Sequence, residues 1–96
     1  AATQGYGTMT AYCLLGLAEQ LALRGNATLA AQVVGAADEY LRVMGVRAQM
    51  ADESDHVRIH AFVARKAGPE RYAQATAQGA RLDLDEAVEL IRSLPA

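Results

Sequence analysis

Residues 14–37, with the sequence LLGLAEQLALRGNATLAAQVVGAA, contain the two apolar patterns that decide the fold. The residues of each pattern recur at the i, i+3, i+4 and i+7 spacing of one helix face. They are Leu14, Leu17, Ala18 and Leu21 in the first half, and Ala30, Val33, Val34 and Ala37 in the second. Gly25 and Asn26 separate the patterns, because glycine tolerates the left-handed end of a helix and asparagine can cap the next one. So short a connection predicts two antiparallel neighbouring helices.

The same reasoning, carried outward, predicts an all-α chain, because no alternating apolar run indicates a strand. We expect five helices, at about residues 8–24, 27–44, 53–67, 69–78 and 84–94. Abundant alanine and few aromatic residues favour closely packed helices, since alanine has the highest helix propensity. Residues 1–96 are predicted to form one helical domain, a fragment of a larger protein. It should comprise a helical hairpin at 8–44 and a three-helix C-terminal cap at 53–94.

Local signals predict where these helices begin and end. Residues 1–7 contain two glycines and are expected to precede the first helix. Asp52 or Ser54 can cap the third helix, and the segment from Asp83 to Glu86 has the form of a capping box. The other breaks are expected at Gly45, Gly68, Pro69, Gly79 and Pro95.

Charge and composition exclude several classes of function. The net charge is −2 and the basic residues are scattered, so the chain has no footprint for binding duplex nucleic acid. No apolar run is long enough to span a bilayer, which predicts no membrane contact. The single cysteine, Cys13, cannot form an intrachain disulfide, so a cytoplasmic location is expected. Eight arginines and one lysine are typical of a high-GC, actinobacterial genome.

His56 and His60 are the weak candidates for a metal site, because residues four apart project from the same helix face. The residue after His56 is Val57, whereas a metalloprotease helix needs glutamate there, and spacing fixes no third ligand. A structural or surface role is therefore the main interpretation, with incidental metal capture as the alternative. Cys13 lies next to the core pattern and is expected to behave as a small buried hydrophobe.

The remaining polar groups favour structural roles. Asp38 and Glu39 flank the second apolar pattern and are expected on a solvated face. Asp85 and Glu86 lie in a first helical turn, where the helix dipole favours negative charge. The glycines of residues 5–8 lack the lysine of a phosphate-binding loop. We therefore predict no catalytic residue and no cofactor in this segment, and hence no enzyme.

Several apolar residues lie off the main patterns and are the candidates for an interaction surface. A five-helix chain has little need for a second apolar face on the same helix, so these residues should meet further repeats or a second copy of the chain. They are Leu15, Leu23, Ile59 and Phe62.

Two resemblances extend this interpretation. Residues 14–37 resemble a tetratricopeptide repeat, with small residues and a turn glycine at its characteristic spacings. Residues 12–94 resemble the C-terminal region of LuxR-type bacterial regulators with a signal-transduction ATPase core, some of which carry a nucleotide cyclase domain. The segments that carry this likeness are Gly16-Leu17-Ala18-Glu19-Gln20-Leu21-Ala22, Gly25, Ala30-Ala31, Gly35-Ala36-Ala37-Asp38, Gly68, Tyr72, Thr76, Gly79, Leu82, Leu84 and Ala87-Val88.

The resemblance implies a right-handed, tetratricopeptide-like stack of helix pairs that acts by protein interaction in transcriptional regulation. It also implies ATP in an upstream domain, DNA contacted only by another domain, and upstream domains or a homodimer as partners. Thr76 stands where the family has a large aromatic residue, which predicts a pocket lined by Tyr72 and the fifth helix. Tyr72 and Thr76 are therefore further candidates for the interaction surface. That pocket motivates the alternative function, a small-ligand sensor in a signalling ATPase or nucleotide cyclase.

Overall fold

The structure, a computed structural model, describes the backbone of residues 2–44 and 50–93 and the side chains of residues 9–44 and 57–93. The described backbone forms five α-helices and no strand, which confirms the all-α prediction. They are α1 (Ala2–Leu23), α2 (Ala27–Met44), α3 (Met50–Ala67), α4 (Pro69–Gly79) and α5 (Leu84–Arg92). None of these described helices is both long and apolar enough to cross a membrane.

The turn between α1 and α2 has the geometry that its glycine predicts. Gly25 adopts a positive φ of 91°, a conformation that costs glycine little and other residues more. The amide of Gly25 donates to the carbonyl of Ala22 at 3.2 Å, and the amide of Asn26 donates to that of Leu21 at 2.8 Å. This pair of hydrogen bonds is a Schellman motif, which satisfies carbonyls that the end of a helix leaves without partners.

The predicted capping box at the start of α5 is also confirmed. The amide of Glu86 donates to Asp83 Oδ1 at 2.8 Å, and the amide of Asp83 donates to Glu86 Oε1 at 3.0 Å. Two amides at the start of the helix are thereby satisfied by side chains close in sequence. At the start of α4, Gly68 takes a φ of 90° and Pro69 occupies the first turn, as expected for a proline.

Three helix boundaries differ from the sequence prediction. The first helix begins at Ala2, because glycine weakens a helix interior by only about 1 kcal/mol relative to alanine and need not end it. The third helix begins at Met50, so Asp52 and Ser54 lie inside it and do not cap it. Gly79 is the last residue of α4 and has no positive φ, so its predicted left-handed role is wrong. The predicted breaks at Gly45 and Pro95 lie outside the described residues.

Helix α2 is the centre of the domain. It contacts each of the other four helices, most extensively α1 and α4. Its buried residues occupy most of its circumference, as expected for a helix with several neighbours, while Arg42 and Val43 lie on an exposed side. The buried residues are Ala30, Ala31, Val33, Val34, Gly35, Ala36, Ala37 and Leu41.

Two glycines allow α2 and α4 to approach until their backbones touch. A Cβ atom added to Gly35 would collide with the backbone of Thr76, and one added to Gly79 would collide with the backbone of Gln32. Beside this crossing, Gln32 Nε2 donates to Gln78 Oε1 at 3.0 Å. The contact joins the segment predicted as a hairpin to the segment predicted as a cap, so α4 packs directly on α2.

Candidate interaction surface

The inner face of α1 differs from the one that the apolar pattern predicted. Leu17 was expected in the core but is 44% exposed, whereas Leu15 and Ala22 are buried. Because α1 contacts α2, α3 and α5, its covered side is set by three neighbours and not by the densest leucine spacing. The buried residues of α1 are Ala11, Leu14, Leu15, Ala18, Leu21 and Ala22.

The opposite side of α1 is apolar and exposed to solvent. Met9 is 68% exposed and Leu23 is 59% exposed, and Cys13 and Gly16 are also exposed. The expectation that Cys13 is buried is therefore wrong. We call this surface the α1 outer face, and define it by Met9, Cys13, Gly16, Leu17, Gln20 and Leu23.

No residue of the α1 outer face is charged. The first charged side chain of the sequence is Glu19, which lies at the border of this face and pairs with Arg58 of α3. Surface faces of helices in globular proteins are normally polar, and a helix that is apolar all round is normally covered. The α1 outer face therefore has the composition of a buried surface, although it is exposed in the described part of the structure.

Gly16 lies in the middle of this face, and its surroundings are open. An added Cβ would have no atom within 4 Å, in contrast to Gly35 and Gly79 at the crossing of α2 and α4. Nothing within the described structure therefore requires a glycine at this position. Inside a helix, glycine is less favourable than alanine.

The other candidates for an interaction surface divide into two groups. Leu23 is exposed, as predicted, and belongs to the α1 outer face. Leu15 is only 3% exposed and Ile59 only 6%, so the prediction that these two are available to a partner is wrong. Both fill the core between α1, α2 and α3, which gives them an internal role. Phe62 is partly buried against the same core, with Lys66 Nζ 5.6 Å from its ring centre.

At Thr76, where the sequence predicted a pocket, the backbone of α4 packs against α2. The backbone of Thr76 lies against Gly35. The hydroxyl of Thr76 donates to the carbonyl of Tyr72 at 2.9 Å and to that of Ala73 at 3.1 Å. Two open clefts of the described surface lie elsewhere, one beside Gly68 and one along the outside of α5. The small side chain expected to leave a pocket therefore accommodates a close helix crossing.

A polar cluster joins α2, α3 and α4 on another side of the domain. His60 Nε2 lies 2.8 Å from Asp38 Oδ2, so these side chains pair between α3 and α2. Burial raises the pKa of Tyr72 on α4, and the negative charge of Asp38 raises that pKa further. Asp38 therefore contacts neighbouring helices, whereas the sequence predicted that it was simply solvated.

The described residues do not test the predicted histidine pair as a unit. The side chain of His56 lies outside the described set, while His60 is engaged with Asp38. Within the described part of the chain, no group of three or more histidine, cysteine, aspartate or glutamate side chains is arranged to hold a metal ion. Paired in this way, His60 helps to position α3.

Glu39 lies on the exposed side of α2, in agreement with its predicted position. Arg42 Nε donates to Glu39 Oε2 at 3.1 Å. This hydrogen bond, together with the positive charge of Arg42, lowers the pKa of Glu39. A pair of this kind at the surface contributes little to stability, because water screens it.

Comparisons with known proteins find no match to this chain among family models, curated proteins or solved structures. The resemblances to tetratricopeptide repeats and to LuxR-type regulators therefore remain predictions from the sequence. The α1 outer face is the feature of the described structure that points to a function. The sequence carried a signal for it that spacing did not reveal, namely the absence of charge from residues 1–18.

Proposed function

We propose that this chain is a non-catalytic helical interaction domain of a bacterial transcriptional regulator of the LuxR type. In this proposal α1 and α2 form an antiparallel, tetratricopeptide-like hairpin, and α3 to α5 form the C-terminal cap of the helical stack. ATP binding and DNA recognition belong to other domains of the same polypeptide. The domain acts in the cytoplasm by presenting a surface to a partner.

The α1 outer face is the observation that supports an interaction role. Its three large apolar side chains, Met9, Leu17 and Leu23, are between 44% and 68% exposed. Exposed apolar residues are common singly, but their concentration on one uncharged helix face marks a binding surface.

The placement of the reactive side chains supports a non-catalytic role. Cys13 lies on the α1 outer face, whereas His60 is held by Asp38 between α3 and α2. A cysteine nucleophile needs a base within hydrogen-bonding reach and a third group to orient that base. The positions of these two described side chains therefore favour a non-catalytic role for each of them. The net charge of −2 supports assignment of DNA contacts to another domain.

Binding of a polarity-sensitive dye tests the interaction surface directly. The chain should enhance the fluorescence of the dye, and Leu17→Glu combined with Leu23→Glu should remove most of the enhancement without loss of helical circular dichroism. Val43→Glu is the matched control, because Val43 is 66% exposed on α2 and lies outside the α1 outer face. Equal dye binding by all three proteins would contradict the proposed surface.

The regulatory context has a separate test. The reading frame upstream of Ala1 should encode a nucleotide-binding loop with the pattern Gly-x-x-x-x-Gly-Lys followed by Ser or Thr. In that longer protein, the same double substitution should change transcriptional output, and Val43→Glu should leave it unchanged. A frame without an ATPase domain would remove the regulator assignment and leave the interaction surface intact.

A further inference from the structure

We infer that α5 is a detachable strap, and that the surface of α1 and α2 beneath it is a docking site for an amphipathic helix of the same pattern. In the described structure α5 itself occupies this site, because it packs on both α1 and α2. A helix of a partner protein that displaces α5 is the second occupant. The site lies on the covered side of α1, so the inference is independent of the α1 outer face and of the proposed function.

Helices α3 and α4 are joined to the rest of the domain by polar contacts as well as by apolar packing. Arg58 of α3 pairs with Glu19 of α1. Gln78 of α4 accepts a hydrogen bond from Gln32 of α2 at 3.0 Å, beside the crossing where the two backbones touch. Because hydrogen bonds depend on distance and angle, these contacts favour one position of each helix.

Helix α5 has no such link within the described part of the chain. Its side-chain hydrogen bonds and its ion pair all join residues of its own cap and turns. The pairs are Asp83 with Glu86, Glu89 with Arg92, and Leu90 with Ser93. The turn before α5 also bonds backwards, since the amides of Arg81 and Leu82 donate to carbonyls at the end of α4. Apolar packing alone therefore holds α5 on α1 and α2, and such packing is non-directional.

The burial of α5 is also shallow. All nine residues of α5 are described, and of these Ala87 is the buried one. Leu84, Val88 and Ile91 are partly buried against the core. A helix of this length is marginal in water without tertiary contacts, and regions with few buried apolar contacts open at a lower free energy than the whole domain. We therefore expect α5 to open and close while α1 to α4 stay folded.

The pattern of α5 defines the ligand that the site takes. The inward residues of α5 recur at the i, i+3, i+4 and i+7 spacing of one helix face. They are Leu84, Ala87, Val88 and Ile91. Ala87 is 0% exposed, so the site has room for a methyl group at this position and for larger aliphatic side chains on either side. Its ligand is an amphipathic helix with that order of small and large apolar residues, bound by one face.

A fluorescent peptide with the sequence of residues 82–93 tests the docking site on the full chain. Ala87→Leu in the chain should loosen α5, because a larger side chain has no room at this buried position. The loosened chain should bind the unsubstituted peptide at least tenfold more tightly than the wild-type chain does. A peptide that itself carries Ala87→Leu should bind at least tenfold more weakly. Glu89→Leu is the matched control in the chain, because Glu89 is exposed, and it should leave the peptide affinity unchanged.

Hydrogen exchange of the same proteins measures the opening of α5. In the wild type, the amides of α5 should exchange at least tenfold faster than those of α4, a helix of similar length that has a polar link to α2. Ala87→Leu should accelerate exchange in α5 further and leave exchange in α1 to α4 unchanged.

Three outcomes would contradict the inference. Exchange of α5 as slow as that of α4 would overturn the detachable strap. Equal peptide affinity of the wild-type, Ala87→Leu and Glu89→Leu chains would overturn the docking site. An Ala87→Leu chain that exchanges faster throughout α1 and α2 would show that α5 is an integral part of the core, and would overturn both.

Discussion

Helices α1 and α2 are built from similar residues but have different surroundings. Both are rich in alanine, and both carry apolar side chains on several sides. Helix α2 contacts the other four described helices, and eight of its residues are buried. In the described part of α1 one side is covered, and Met9 and Leu23 on the other side are more than half exposed. An apolar helix therefore indicates burial, and the number of neighbours shows whether that burial is complete within the chain.

The largest predicted difference between α1 and α2 is in the free energy of unfolding after a glycine in each helix is replaced by alanine. Gly35→Ala should lower the free energy of unfolding by at least about 3 kcal/mol, because its Cβ would meet the backbone of Thr76. Gly16→Ala should raise it by about 0.5–1 kcal/mol, since the site is open and alanine favours the helix. Urea denaturation at low protein concentration measures both. Two changes of the same sign would show that the surroundings of these glycines do not differ as described.

Leucine truncations compare the two sides of α1. Leu14 is 1% exposed, so Leu14→Ala should cost about 2–3 kcal/mol of stability. Leu17 is 44% exposed, and Leu17→Ala should cost less than about 1 kcal/mol. Chemical denaturation of the dilute proteins gives the difference. Similar costs would mean that Leu17 is part of the core, as its spacing suggested.

The capping box provides a smaller effect at the edge of the domain. Asp83→Ala should cost about 1 kcal/mol, because it removes the acceptor that Glu86 uses at the start of α5. Asp85→Ala is the control, since Asp85 lies in the same first turn and has only the helix dipole to lose, about 0.3 kcal/mol. Hydrogen exchange should show faster exchange in α5 and little change in α1 and α2. Equal effects of the two substitutions would exclude a specific role for the cap.

The smallest predicted effect is on the pH dependence of stability, and it concerns Tyr72 of α4. The folded chain raises the pKa of Tyr72 above its ordinary value of 10.0, so folding favours the protonated phenol. The contribution to stability is complete below pH 10 and is lost as the pH rises through the raised pKa. The loss of stability in alkali should therefore be smaller in Tyr72→Phe than in the wild type. Parallel pH profiles would show that Tyr72 is not desolvated by this packing.

The sequence predicted the features that depend on neighbouring residues. Gly25 ends α1 with a positive φ, and Asp83 and Glu86 cap α5, because each motif forms within a few residues. The five helices followed from alanine content and apolar spacing for the same reason. The predicted start of α1 was wrong, because Gly5 and Gly7 lie within the helix and do not interrupt it.

Features that depend on tertiary neighbours could not be predicted from one sequence. The exchange of Leu17 for Leu15 in the core follows from where α2, α3 and α5 lie against α1. Gly79 was assigned to a helix end, whereas it serves the crossing of α2 and α4. Cys13 is exposed because α2, α3 and α5 pack against the other side of α1. The absence of charged side chains from residues 1–18 is visible in the sequence and indicates an unusual helix surface. The sequence does not show which side of that helix is exposed.

Alkylation of Cys13 tests the central claim most directly, because this thiol lies on the α1 outer face of the unmodified chain. In the folded protein the thiol should react about as fast as it does in the chain unfolded by urea, because its side chain is exposed. A thiol that is protected in the folded chain would contradict the claim that the α1 outer face is open to solvent.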